Sequence, residues 1–268
     1  MLKINKHIIL FLLFNLVSYS QKKGLVYYGF VDAIGTGNAK GPDSNAYLVF
    51  NNEKSYYVTA KDSLEKAENL DKQTIYAKED DSGGSIHNGM KSSRLGDQVF
   101  NDLKTKTIYS SLLHGKQIYI KEQALKISWI ISKETKKIGN FTCLKATGLF
   151  RGRKYTAWYT PEIAVPYGPW KLNGLPGLIL EAYDYNKNVY WYFKSLEYPS
   201  KTKESISNIR AVKGSKVNFL SISEFTKFCQ EEIQKSYEKM IIISKQHPGV
   251  VAVKGNQKDY FIEDFENE

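Results

Sequence analysis

Cysteine is scarce in this sequence, which has only Cys143 and Cys229 among its 268 residues. A disulfide-dense secreted scaffold is therefore excluded, because such folds need several cysteine pairs. The two cysteines are compatible either with one disulfide or with two buried free thiols, and the sequence favours neither. Cys143 lies in a predicted strand and Cys229 in a predicted helix, so both positions favour packing or a disulfide over nucleophilic catalysis.

The common catalytic signatures are missing as well. The sequence contains no H-E-x-x-H, C-x-x-C or G-x-S-x-G motif and no P-loop. Its few histidines lie in separate loop-like settings, so we predict no metal site and no cofactor. One enzymatic alternative stays open, a hydrolase in which Glu162 acts together with Arg151 and Arg153.

Long apolar runs are confined to the N-terminus. Residues 8–17 are mostly apolar, follow Lys3 and Lys6, and lead to a short stretch of small residues that ends at Ser20. This layout predicts a signal peptide over 1–20, too short to span a bilayer. We therefore expect an exported protein, periplasmic or outer-membrane-associated, with no transmembrane span after the signal is removed.

The sequence has an excess of positive charge. Removing Lys3 and Lys6 lowers the formal net charge from +10 to +8, and the remaining lysines are spread along the chain. Nucleic-acid binding is not expected, because it needs a concentrated basic face. A solvated lysine-rich surface is the first interpretation, and affinity for anionic lipid headgroups or acidic glycans is the alternative.

The sequence does contain the residue pattern of β-strands. Short segments rich in β-branched and aromatic residues alternate with polar turns, which predicts a meander of antiparallel strands. The predicted strands cover 24–31, 46–50, 55–59, 109–113, 117–121, 125–132, 141–147, 154–159, 178–183 and 189–196. One helix is predicted over 222–245, with a capping box at Ser221 and Glu224.

These elements predict a mainly β protein. The expected domains are the signal peptide at 1–20, a single β-rich domain at 21–258, and a frayed acidic tail at 259–268. The sheet is expected to be curved, either a meander or a half-open barrel, with the helix on its concave face.

Aromatic residues crowd the region from 129 to 191, which contains all four tryptophans. They suit either a concave apolar site or an ordinary sheet core. The stretch GPWKLNGLPGLILEA at 168–182 ends in Pro176-Gly177, which predicts a type II turn that launches a strand. The candidate binding residues in this region are Arg151, Arg153, Trp158, Tyr159, Trp170, Leu175, Pro176 and Leu178.

Three motifs in this region resemble those of the GLPGLI family of exported Bacteroidetes proteins. They are KKIGNFTCLKAT at 136–147, FRGRKYTAWYTPEI at 150–163, and YGPWKLNGLPGLILE at 167–181. The resemblance implies an exported protein without an established activity. The motifs are also similar to those of periplasmic lipoprotein-carrier-like proteins, in which a curved antiparallel sheet wraps a helix and holds an apolar ligand.

The leading functional hypothesis is a non-catalytic binding protein for an apolar ligand, lipid-like or peptide-like. The alternative is an accessory subunit that docks on an outer-membrane transporter or secretion complex through exposed aromatic residues. Its partner is then an outer-membrane protein.

Overall fold

The computed structural model describes residues 22–34, 43–59, 95–211, 214 and 216–265. The predicted signal peptide and the polar region at 60–94 lie outside the described residues. The strands are β1 Gly24–Asp32, β2 Asp43–Phe50, β3 Lys54–Thr59, β4 Gln98–Asp102, β5 Thr107–His114, β6 Lys116–Gln123, β7 Ile130–Ile138, β8 Phe141–Phe150, β9 Arg153–Thr160, β10 Leu178–Asp184, β11 Val189–Glu197 and β12 Phe219–Leu220. The helix α1 spans Ile222–Gln246, and a short 3-10 helix spans Gln257–Asp259.

All twelve strands belong to one open sheet in the order β12-β6-β5-β4-β3-β2-β1-β11-β10-β9-β8-β7. Strands β1 to β6 form one antiparallel meander and β7 to β11 form a second. The two meanders join where β1 pairs with β11. Only β12 runs parallel to its neighbour among the described pairs, alongside β6. The predicted mainly β fold with an antiparallel meander is confirmed.

The two faces of the sheet are distinguished by their side chains. We call the inner face the one that carries Tyr28, Tyr155 and Trp191, which belong to the largest apolar cluster. The segment 161–177 covers this face and contributes buried residues to the same cluster. The opposite, outer face is covered over β1 to β4 by the segment 198–211, which packs Ile206 and Ile209 against a second cluster.

The helix packs at the β6 end of the sheet. Phe225, Cys229 and Ile233 of α1 are buried against Ile118 and Ile120 of β6. Ser221 and Glu224 form the predicted capping box, which confirms the N-terminus of the helix. No helix among the described residues is long and apolar enough to cross a membrane.

Candidate ligand-binding face

The turn at 174–177 differs from the sequence prediction. A type II turn at Pro176-Gly177 requires a positive φ at Gly177, but the positive φ in this segment lies at Gly174, where it is 92°. The predicted turn type is therefore wrong. Gly177 is needed for a different reason, because a Cβ there would lie 2.2 Å from the carbonyl oxygen of Thr160. The strand β9 thus approaches this glycine too closely for any side chain.

The apolar residues of this segment are core residues. Tyr159, Leu175 and Leu178 are each at most 2% exposed and belong to the largest cluster. Trp170 is half-buried and stacks on Trp191 with ring centroids 6.0 Å apart. Pro176 is exposed. Of the two interpretations of these aromatic and apolar residues, the structure therefore favours sheet core over an open cleft.

The two arginines are buried in ion pairs that the sequence did not predict. Arg151 bonds to Glu122, and Arg153 bonds to Asp184 at 3.0 Å. Glu162, which the hydrolase alternative combined with these arginines, lies apart from them, because Arg153 begins β9 whereas Glu162 follows the other end of that strand. Glu162 is exposed and accepts a hydrogen bond from the backbone N–H of Thr142.

Arg151 belongs to a buried cluster of four charges. The ammonium of Lys171 lies 2.5 Å from a carboxylate oxygen of Glu122 and 2.6 Å from one of Glu263. Burial favours the neutral acid at Glu122, but Lys171 and Arg151 outweigh it, so the pKa of Glu122 is lowered. At Glu263 burial dominates and raises the pKa. Two cations therefore balance two carboxylates in a desolvated position.

The C-terminal segment is anchored rather than frayed. The guanidinium of Arg153 donates to the carbonyl oxygens of Ile262 at 2.7 Å and Phe261 at 2.9 Å. Glu263 and Asp264 are buried, with exposed fractions of 4% and 0%. The expectation of a frayed acidic tail is therefore wrong up to residue 265, because Lys171 and Arg151 pair with the Glu263 carboxylate and Arg153 binds the backbone of this segment.

Both cysteines are buried free thiols. Of the two alternatives that the sequence left open, the structure therefore shows the one without a disulfide. Burial raises the pKa of Cys143 to about 12 and that of Cys229 to about 12. Neither residue is suited to nucleophilic chemistry, since the thiolate is the reactive form.

Trp158 lies on the outer face of β9, where it is buried and still belongs to the largest apolar cluster. In the register of β9 and β10 it pairs with Glu181, while the neighbouring pair, Ala157 and Ala182, points to the inner face. The ammonium of Lys136 lies 4.5 Å from the Trp158 ring centroid and 2.7 Å from the Glu181 carboxylate. Within the described residues the indole N–H of Trp158 has no hydrogen-bond partner.

A row of tyrosines continues from this tryptophan across the outer face. Tyr183 pairs with Tyr190 in the register of β10 and β11, and their ring centroids are 5.7 Å apart. Tyr190 and Tyr192 are 5.6 Å apart, and all three rings are half-buried. We call Trp158, Tyr183, Tyr190 and Tyr192 the aromatic row. The three tyrosines were not predicted as site residues, although the every-other-residue spacing of Tyr190 and Tyr192 on β11 is a detectable signal.

The row is held rigidly and is bordered by cations. The ring of Tyr192 lies directly over Gly29, where a Cβ would come within 2.0 Å of the ring. The ammonium of Lys187 is 5.1 Å from the Tyr183 centroid, and that of Lys194 is 5.5 Å from the Tyr192 centroid. Burial, with a smaller contribution from Glu181, raises the pKa of Tyr190 to about 12, so its hydroxyl keeps its proton at neutral pH. These contacts give the outer face both apolar area and charge.

Comparison with known proteins provides a local match only. Residues 150–181 match the model of a family described as a protein of unknown function (Porph_ging). This stretch contains two of the three motifs recognised in the sequence. No curated protein matches the chain.

Two solved structures of PNGF-II align with most of the chain. The structure in space group P21 has a TM-score of 0.49 and 14% identity, and the alignment covers 77% of this chain and 32% of that one. The structure in space group C2 has a TM-score of 0.47 and 15% identity, with 76% and 32% covered. The chain thus spans about a third of the length of these proteins. Neither similarity bears on the function of this chain.

Proposed function

We propose that this is an exported, non-catalytic binding protein, periplasmic or outer-membrane-associated, that recognises a peptide-like ligand on its outer face. The GLPGLI resemblance and the predicted signal peptide belong to this proposal. The observation that carries it is the aromatic row, in which three half-buried tyrosine rings continue from the buried ring of Trp158 and lie beside lysines on the outer face of the sheet. Flat aromatic side chains with polar tips are typical of recognition surfaces.

A peptide-like ligand suits this face better than a lipid-like one. A lipid chain needs an enclosed apolar cavity. Tyr159, Leu175 and Leu178 are instead packed within the core. The row instead offers a strip of three half-buried tyrosine rings, which continues from the buried Trp158 and has ammonium groups along its border. Such a strip fits an extended peptide that carries apolar and acidic side chains. The rings would contact the apolar side chains, and the lysines would pair with the acidic ones.

Lys136 covers the ring of Trp158, which is only 8% exposed. The lysine side chain is 33% exposed and is held by one carboxylate and one ring. The Glu181 side chain is only 14% exposed, so this pair is worth more than an exposed ion pair at about 0–1 kcal/mol, and the cation–π contact adds about 0.5–2 kcal/mol. A ligand that displaces Lys136 has to offset this loss within a micromolar binding free energy of about 8 kcal/mol.

Selection of peptides on the purified protein tests this proposal. A library of random heptapeptides displayed on phage is selected on the immobilised mature chain, on the Trp158→Ala variant and on Phe219→Ala. Phe219 is a suitable control because it is a partly exposed aromatic residue on β12, at the opposite edge of the sheet. We expect enriched sequences that bind the wild type and Phe219→Ala but not Trp158→Ala. Equal enrichment on all three proteins would refute the proposed site.

The alternative role, docking on an outer-membrane partner, is favoured by the edge strand β7. It ends the sheet among the described strands, and its first residue, Ile130, is 73% exposed. Leu149, on the neighbouring strand β8, is 64% exposed. An exposed edge can accept a strand from another protein. Capture of one stoichiometric membrane protein that is lost on Ile130→Lys, but kept on Trp158→Ala, would support this role instead.

A further inference from the structure

A small cleft lies at the other end of the sheet from the aromatic row. It has a volume of about 210 Å³ and lies between α1, the end of β5 and the C-terminal segment. Its size suits a small polar group, since pockets for drug-sized ligands measure about 300–1,000 Å³. The lining residues are His114, Glu232, Lys235, Ser236, Lys239, Tyr260 and Phe261.

The helix presents four of these side chains on one face. Glu232 precedes Lys235 and Ser236 by three and four residues, and these two precede Lys239 by four and three residues, which places the four side chains on one face of the helix. His114 meets them from the end of β5, with its Nε2 3.4 Å from the Glu232 carboxylate. The imidazole is also held by ring contacts with Phe228 and Phe261, at centroid distances of 5.8 and 5.1 Å.

Positive charge exceeds negative charge in the cleft. Lys235 bonds to Glu232 at 2.8 Å. Within the part of the chain that the structure describes, no carboxylate pairs with Lys239. Like charges four residues apart on a helix destabilise each other by about 0.2–0.5 kcal/mol. A bound anion between Lys235 and Lys239 would remove this repulsion.

Two hydroxyl groups complete the lining. Those of Ser236 and Tyr260 have no hydrogen-bond partner among the described residues. The Tyr260 ring packs against Gly255, where a Cβ would lie 2.7 Å from the ring. Together with the ammonium of Lys239, the cleft thus offers donors from two different segments of the chain.

We propose that this cleft binds a phosphate group. A phosphate has several acceptor oxygens in a tetrahedral arrangement, and it can accept hydrogen bonds from an ammonium and from two hydroxyls that approach from different sides. A lysine ammonium is a common phosphate ligand in proteins. This site is independent of the aromatic row, because four strands lie between β5, which contributes His114 to the cleft, and β11, the nearest strand of the row.

A phosphate group can come from a free anion or from a lipid headgroup, and the residues next to the cleft bear on this difference. Ile242 and Ile243, which follow Lys239 by three and four residues, are 56% and 41% exposed. Exposed apolar residues beside a phosphate site suit a membrane surface, whereas a free anion makes no use of them.

Two probes separate these sources. Inorganic phosphate is titrated into the mature chain by calorimetry at constant ionic strength. Vesicles of phosphatidylcholine, with and without phosphatidic acid, are tested by co-sedimentation. Binding of inorganic phosphate would show that a free anion suffices. Binding only to the vesicles that contain phosphatidic acid would identify the headgroup as the source.

Matched variants of α1 decide whether the cleft is responsible. Lys239→Gln and Lys227→Gln remove the same charge from exposed positions of the same helix, but Lys227 lies outside the cleft and beside Glu231. We expect Lys239→Gln to weaken binding of the active probe about tenfold or more, as for loss of a charged hydrogen bond, and Lys227→Gln to leave it within about twofold. Ser236→Ala should also weaken it. Absence of binding to both probes, or equal losses in the two glutamine variants, would overturn the proposal.

Discussion

The ammonium of Lys171 lies 2.6 Å from the carboxylate of Glu263, although 92 residues separate the two in sequence. Lys171 belongs to the segment that covers the inner face, and Glu263 to the C-terminal segment. Both side chains are almost completely buried, with exposed fractions of 2% and 4%. Neither residue belongs to a strand of the sheet. The ion pair therefore joins the covering segment to the C-terminal segment directly.

Replacing Lys171 by methionine should destabilise the protein strongly. The variant leaves Glu122 and Glu263 buried with only Arg151 to balance them, and breaking a buried ion pair in this way costs about 3–5 kcal/mol. The free energy of unfolding in urea measures the effect. Lys145→Met is the control, because it breaks a more exposed pair with Glu134 and should cost about 0–1 kcal/mol. Similar losses in the two variants would contradict the importance of the buried cluster.

Gly177→Ala should be more harmful than Gly174→Ala. At Gly177 the new methyl group would meet a backbone carbonyl at 2.2 Å, and a backbone atom cannot rotate away, so we expect a loss of about 3 kcal/mol. At Gly174 the nearest atom is 3.9 Å away and only the positive φ is strained, at about 1–2 kcal/mol. Urea unfolding of both variants checks the order. The reverse order would contradict the close approach of the Thr160 carbonyl oxygen to Gly177.

The thiols should be unreactive in the native protein. Burial raises the pKa of each cysteine to about 12, so almost no thiolate is present at pH 8. We expect no labelling by Ellman's reagent within minutes, and two labelled thiols per chain after unfolding in guanidinium chloride. Fewer than two after unfolding would mean that Cys143 and Cys229 form a disulfide.

The helix cap should give α1 a pH dependence. The hydrogen bond from the Ser221 backbone lowers the pKa of Glu224. Because the folded pKa is below the unfolded one, the stabilisation is complete above the unfolded pKa and is lost as the pH falls through the folded pKa. The stability difference between wild type and Glu224→Gln, measured by urea unfolding, should therefore shrink from pH 7 to pH 3. A constant difference would contradict this assignment.

Ser221→Ala tests the same cap without a titrating group. It removes the side-chain acceptor for the backbone N–H of Glu224 and should cost about 1 kcal/mol. The loss should be similar from pH 7 to pH 5, where Glu224 stays ionised. No measurable loss at neutral pH would mean that the capping box contributes little to stability.

The sequence predicted the strands whose side chains alternate between core and surface. Strands β9 and β10 were placed within about one residue of their observed bounds, because one face of each is packed in the core. The prediction failed at β7, which was expected at 125–132 but spans Ile130–Ile138. This edge strand is largely exposed on both faces, so its polar sequence has no alternation to detect. The two-residue strand β12 and the short β4 were missed altogether.

The site was less predictable than the fold. Trp158 was identified from composition, but its position on the outer face depends on the strand register, which a shift of one residue would reverse. The ion-pair partners of Arg151 and Lys171 could not be predicted for a different reason. Glu122 precedes Lys171 by 49 residues, and only the folded sheet brings them together, so no local spacing indicates the pair.

Native mass spectrometry of the protein purified from the cells that produce it tests the central claim most directly. We predict a bound peptide in the wild type and in Phe219→Ala, and its loss in Trp158→Ala, with all three proteins equally folded by circular dichroism. A wild-type protein without bound peptide, or a peptide retained by Trp158→Ala, would contradict binding at the aromatic row.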